Sequence, residues 1–207
     1  MVVEERCSKN QFVDPEVAKV KFEIQWNLFE NREQEYRDQG IVCIKKAFPF
    51  LEFAFLSPSL KLSINDRKRP QENIVFQAAT PWVPMALRFD YTNFDILPPS
   101  IRLIDPISRK EVFTSILKME IYPNQQNLSK LPAPRFKVKP QPILLPDLDG
   151  RLFICLPGIR EYHQHLQHDG DSWFLYRNND NGKLTNLLDK IFLYSVTNYH
   201  VNIKLPK

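Results

Sequence analysis

The chain has 207 residues, of which 43% are hydrophobic, and 28 basic against 24 acidic residues give a formal net charge of +4. That length suits one large domain with an ordinary buried core, while no apolar run approaches the roughly 20 residues of a membrane span and Met1-Val-Val-Glu-Glu-Arg6 is too charged to act as a signal peptide. The three cysteines are too few and too odd in number for a disulfide framework, and the charges are scattered apart from Asp66-Arg-Lys-Arg69, so a cytoplasmic protein with reduced thiols is expected, with neither nucleic acid nor membrane as partner.

Residues 1–13 read as a flexible tail ahead of a single domain over 14–207. Asp14 as N-cap and Pro15 at the first helical position start a helix, and Val17, Val20, Ile24 and Leu28 recur at helical spacing along it. Gly40 closes that element or the loop after it. The period then changes: Ile41–Ile44, Leu51–Leu56, Leu60–Ile64 and Ile74–Phe76 are short, β-branched or aromatic, and punctuated by Pro49, Pro58 and Pro70. They predict an antiparallel meander that continues through Met85–Phe89 and Ser100–Ile104 across a Pro98-Pro99 loop. Between Pro123 and Pro146 there are six prolines and little periodicity, which predicts an extended loop over 123–146. Leu184, Leu187, Leu188 and Ile191 predict a short amphipathic helix near the C-terminal end. Helices flanking an antiparallel sheet make the expected class α+β.

The chemistry concentrates after residue 150. Cys155 ends an apolar strand just before Pro157-Gly158, where a turn would present its thiol, and three of the four histidines, His163, His165 and His168, follow with Glu161. Cys155, Glu161, His163, His165 and His168 are the sulfur, nitrogen and oxygen donors that tetrahedral zinc prefers. In a helix, Glu161, His165 and His168 would share a face; in an extended segment, Glu161, His163 and His165 would. The plainer reading makes Cys155 a small core residue and the histidines surface groups. Trp173 reads as a packing residue that anchors the loop, Cys43 as core and Cys7 as a thiol of the tail.

The order helix, meander, Pro-Pro loop, cysteine, tryptophan, helix resembles the ubiquitin-conjugating enzyme (E2) fold. Phe89-Asp-Tyr-Thr-Asn-Phe-Asp-Ile-Leu-Pro-Pro-Ser-Ile-Arg-Leu103 resembles the segment of that fold in which an aromatic loop precedes Pro-Pro and a strand, and Asp149-Gly-Arg-Leu-Phe-Ile-Cys155-Leu resembles the turn and strand that deliver the active-site cysteine. The insertion at 157–172, with its Glu161-Tyr-His-x-His-x-x-His168 pattern, resembles a bacterial family named as a predicted metal-binding domain for its Cys, Glu, His and His residues. That family is associated with prokaryotic ubiquitin-like conjugation systems, and antiviral defence is the setting it suggests. The usual His-Pro-Asn turn before the cysteine is replaced here by Pro142-Ile-Leu-Leu-Pro-Asp-Leu-Asp149, and Tyr122-Pro-Asn124 lies far upstream.

The resemblance implies a transferase in which Cys155 carries a ubiquitin-like protein as a thioester, loaded by an activating enzyme, with a deubiquitinase-like protease in the same system. A nearby imidazolium or a helix start at Ile159 would lower the thiol pKa, and His163 or His165 would take the proton from the attacking amine. The Gly158 and Arg160 amides are candidate oxyanion donors in place of the missing asparagine. No cofactor is required for that chemistry. The alternatives are a protein of the same fold that binds Zn2+ through Cys155, Glu161 and the histidines without transfer activity, and a scaffold with no chemistry.

Overall fold

The computed structural model describes residues 12–57, 60–65, 73–78, 82–114, 143–164, 171–193 and 201–202. Helix α1, Pro15–Glu30, starts as the sequence predicts, with the Asp14 carboxylate accepting from the Glu16 amide at 2.8 Å and Pro15 in the first turn. Its buried face is not the expected one. Ala18, Phe22, Gln25 and Phe29 point inward, whereas Val17, Val20 and Ile24 are 49%, 60% and 52% exposed. Both sets fit the helical period, and the larger aromatic rings win because each removes more apolar surface from water, about 1.5–3 kcal/mol per fully buried side chain. Phe22 meets Tyr91 edge to face, and Phe29 lies between Phe53 and the stacked ring of Tyr36 on α2, Glu33–Asp38.

Strands β1 Ile41–Ala47, β2 Phe50–Ser57, β3 Leu60–Asn65, β4 Asn73–Ala78, β5 Trp82–Asp90 and β6 Ser100–Ile104 lie where the apolar runs predict them. They do not form one uninterrupted meander. β2 pairs directly with β5, from Phe50 opposite Asp90 to Ser57 opposite Trp82, so β3 and β4 find no place in that sheet. They pair with each other instead, and β3 also takes β9, Val201–Asn202, in a separate three-stranded sheet.

The expected proline-rich loop is corrected at its end. Leu144–Pro146 is strand β7, paired with β8, Leu152–Ile154, and this hairpin completes an antiparallel six-stranded sheet in the order β1-β2-β5-β6-β8-β7. Pro146 is tolerated because β7 lies at the sheet edge, where a missing N–H costs no ladder bond. Residues 115–142 of that loop lie outside the described residues.

Beyond the sheet come α3, Arg160–Gln164, 3₁₀ turns at Trp173–Leu175 and Asp180–Gly182, and α4, Leu184–Ile191. The predicted apolar residues of α4, Leu184, Leu187, Leu188 and Ile191, are all fully buried. The start of α4 is capped from a distance: its first amide, on Leu184, donates at 2.9 Å to the side-chain oxygen of Gln25, which explains a buried glutamine on α1. Among the described residues the architecture is therefore α+β, with four helices and an antiparallel six-stranded sheet. Among the described residues no helix is long and apolar enough to cross a membrane. Ahead of α1, the Phe12 and Val13 amides donate to Asn93 Oδ1 at 2.9 and 3.0 Å, and residues 1–11 of the expected tail lie outside the described residues.

Candidate functional site

Cys155 follows the last residue of β8, and its amide donates to the Ile143 carbonyl at 2.7 Å, which carries the β7–β8 ladder up to the cysteine itself. The residue is half-buried. Burial pushes the thiol up to about 11, the opposite of the lowering expected from an imidazolium or a helix start. The reason lies in the state of its neighbours.

His163 is the one histidine of the cluster among the described residues; His165 and His168 lie outside them. The His163 Nδ1 lies 2.6 Å from the Asp171 carbonyl oxygen, which can only accept, and the Gly158 amide, which can only donate, lies 3.2 Å from Nε2. These two partners demand a neutral ring protonated at Nδ1. Burial lowers the pKa of His163, and the Asp171 carbonyl and charge offset only part of that. His163 therefore supplies no imidazolium at neutral pH. The ring is walled by Tyr162, Trp173 and Tyr176, with centroids 5.0 to 5.8 Å away. His163 thus staples the turn after Cys155 to the segment that begins at Asp171.

Both proposed oxyanion donors are engaged. The Gly158 amide serves His163, and the Arg160 amide donates to the Pro99 carbonyl at 2.9 Å. The Arg160 guanidinium reaches the Pro98 and Thr92 carbonyls at 3.3 and 2.7 Å, so the Pro-Pro loop is fastened to the start of α3.

Glu161 turns inward rather than toward the thiol. Its carboxylate, 7% exposed, accepts from Ser100 Oγ and, at 3.4 Å, from the Ile101 amide, and pairs with Arg102 Nη2 at 3.0 Å. Its ion-pair partner comes from β6, far away in sequence. Among the described residues no three His, Cys, Asp or Glu side chains gather closely enough to hold a metal.

Several charged and aromatic groups of the site were given no role by the sequence. Arg102 pairs with Asp147 at 2.6 Å as well as with Glu161. Asp147 also receives the Asp149 and Arg151 amides, both at 2.9 Å, and so shapes the β7–β8 turn; burial raises its pKa, but the Arg151 amide and the Arg102 charge outweigh that and hold it below its ordinary value. Asp171 accepts from the Tyr162 and Tyr176 hydroxyls at 2.8 and 3.2 Å. Burial first, and Asp171 second, push the Tyr162 hydroxyl upward. Trp173 is the packing residue its sequence context suggests: buried, with its indole N–H donating to the Asp95 carbonyl at 3.0 Å. Cys43 is half-buried against the core, with its thiol on the Lys45 carbonyl at 3.4 Å, and Cys7 lies outside the described residues.

The neutral His163 has a consequence for stability. Its folded pKa lies below the ordinary 6.5, so the contribution is whole above 6.5, where folded and unfolded chains are both neutral. It is lost as pH falls through the depressed folded value, because the unfolded chain binds the proton first. Urea midpoints measured from pH 7.5 down to 5 should fall below about 6.5 for the wild type. His163→Gln, which has an acceptor and a donor but no proton to bind, should lack that component of the decline.

An uncharacterised protein, y4jH, of Sinorhizobium fredii (strain NBRC 101917 / NGR234) is 30% identical over 192 residues, which cover 89% of this chain and 84% of that protein. The model of the Y4jH family matches residues 13–199, a span that runs from the start of α1 past α4 and takes in Cys155 and every residue placed around it. This chain belongs to the Y4jH-like family.

Proposed function

We propose that the protein is a ubiquitin-conjugating type of transferase, working in the cytoplasm of a bacterium, with Cys155 as its carrier nucleophile. The observation that carries this reading is the placement of Cys155: a half-buried thiol at the end of a strand in an antiparallel sheet, before a tight turn, in a chain whose order of elements, helix first, resembles that of the enzyme fold. Its sulfur would attack the thioester carbonyl that joins an activating enzyme to a ubiquitin-like protein, and the activating enzyme's thiol would leave. An amine would then attack the new thioester, the bond to Cys155 would break, and the sulfur would take up a proton. A thiol held near 11 suits the last step, since burial favours the neutral product. Loading requires a local change that exposes thiolate, and docking of the charged activating enzyme is the event that would supply it.

The experiment supplies the activating enzyme, ATP and the ubiquitin-like protein, with a deubiquitinase-like protease of the same system as the check on adduct chemistry. A reductant-sensitive adduct on a non-reducing gel is the expected result. Its complete absence, with the activating enzyme itself loaded, would sink the reading.

A non-catalytic scaffold is the second reading, favoured by the raised thiol and the engaged Gly158 and Arg160 amides. It predicts partner binding that survives Cys155→Ala. For the zinc alternative, with Cys155, Glu161 and the histidines as ligands, Glu161 and His163 would have to leave their present partners. Elemental analysis of protein purified without chelator should find less than stoichiometric zinc; a full equivalent that is lost in Cys155→Ser would favour the metal reading instead.

A further inference from the structure

The segment that carries Cys155 is an arch with Asp147 at one end, in the β7–β8 turn, and Glu161 at the other, in α3. Both ends close on one side chain. Arg102 Nη1 meets Asp147 Oδ2 at 2.6 Å and Arg102 Nη2 meets Glu161 Oε1 at 3.0 Å. All three groups are well shielded, at 14%, 17% and 7% exposure, and the backbone of Arg102 pairs with Phe153 of β8, within the arch. A planar guanidinium holds its donors in a fixed fork, so it sets the separation of two carboxylates as a lysine ammonium does not. The supporting contacts tighten each end: the Asp149 and Arg151 amides on Asp147, and Ser100 Oγ with the Ile101 amide on Glu161.

We propose that Arg102 is a positioning residue for the chemistry of Cys155, fixing the span of the arch and with it the attitude and shielding of the thiol. The proposal rests on the reading of Cys155 as the reacting group. The effect of Arg102 on the sulfur passes through Asp147 and Glu161. Without the fork, two shielded carboxylates lose their shared partner and repel, and the arch opens toward water. Opening the arch relieves the burial that holds the thiol up, so Cys155 becomes more readily alkylated.

The test is competitive alkylation by iodoacetamide at pH 7.5, read by mass spectrometry as the rate at Cys155 divided by the rate at Cys43 in the same molecules. Return of the thiol from about 11 to its ordinary 9 would multiply thiolate by roughly a hundred, so partial opening in Arg102→Lys should raise the ratio about tenfold. Asp147→Asn and Glu161→Gln, which each release one end, should raise it roughly two- to fivefold. Neither should add to the effect of Arg102→Lys when combined with it. Phe29→Leu, in the aromatic cluster under α1, serves as the destabilised comparison and should leave the ratio unchanged.

An unchanged ratio in Arg102→Lys, or an equal rise in Phe29→Leu, overturns the proposal. Should Arg102→Lys not fold, the two carboxylate variants decide, and wild-type ratios in both overturn it. Adduct formation with the ubiquitin-like protein is measured in parallel: its absence in the wild type defeats the transferase reading and leaves the alkylation result standing.

Discussion

Adduct formation should vanish in Cys155→Ala, change from a reductant-sensitive thioester to a reductant-resistant ester in Cys155→Ser, and persist in Cys7→Ser and Cys43→Ser. Its pH dependence in the wild type separates two sources of the thiolate. The thiol is held at about 11 by burial, so at neutral pH only a small fraction is thiolate, and that fraction rises about tenfold per pH unit until the pH nears 11. If the free thiolate fraction limits loading, single-turnover rates at saturating charged activating enzyme should follow that slope from pH 7 to 9. If the docked partner itself lowers the pKa by bringing a cation to the sulfur, the slope flattens over the same range while the Cys155 requirement stays absolute. A steep slope therefore assigns activation to the chain alone, and a flat one assigns it to the complex. An adduct that survives Cys155→Ala unchanged moves the protein to the scaffold reading.

The legible parts of the fold were those in which one segment settles its own state. The Asp14-Pro15 start of α1, the apolar strands and the Leu184–Ile191 stripe each carry a local signal, and each element lies where that signal put it. Choices that depend on a distant partner were hidden. Which face of α1 goes inward was decided by Phe53 and Tyr91, and the parting of β3 and β4 from the main sheet was decided by the pairing of β2 with β5.

At the site the same division holds. Cys155 at its strand end and Trp173 as an anchor could be read from sequence, whereas the roles of the charged groups could not. Arg102 is the one partly exposed residue of β6, between buried neighbours on both sides, and nothing local tells that it bridges Asp147 and Glu161. His163 and Glu161 drew attention as ligands or bases because of their density. Their present partners are a backbone amide and a carbonyl in one case, a serine, an amide and an arginine in the other. Residue types indicate what chemistry a segment can do, but burial and hydrogen-bond satisfaction decide which atoms remain available for it.

Gly158→Ala should be the most damaging small substitution in the arch. Gly158 has φ +97, a left-handed conformation that costs an alanine about 1–2 kcal/mol. An added Cβ would also stand 2.6 Å from the Asn181 carbonyl carbon and overlap its oxygen, which forces apart the cysteine turn and the 3₁₀ turn that leads into α4. Neither side can yield easily. Gly158 is held by His163, and the Asn181 side chain receives Lys190 Nζ at 2.6 Å while neighbouring Gly182 packs under the Trp173 ring. Overpacking of this kind adds about 1–3 kcal/mol, for a total near 3 kcal/mol and a fall in Tm of about 6–12 °C for a chain of this size. Gly150→Ala is the matched comparison. Its φ of +79 carries similar backbone strain, but among the described residues its Cβ would meet only Thr114 Oγ1 at 3.3 Å, a contact a small side-chain shift relieves. The alanine at 150 should therefore cost about 1–2 kcal/mol, and the difference between the two variants isolates the overlap with Asn181. Equal losses at the two positions would show that the cysteine turn is free to move away from Asn181, and the picture of an arch held from both sides would fail with it.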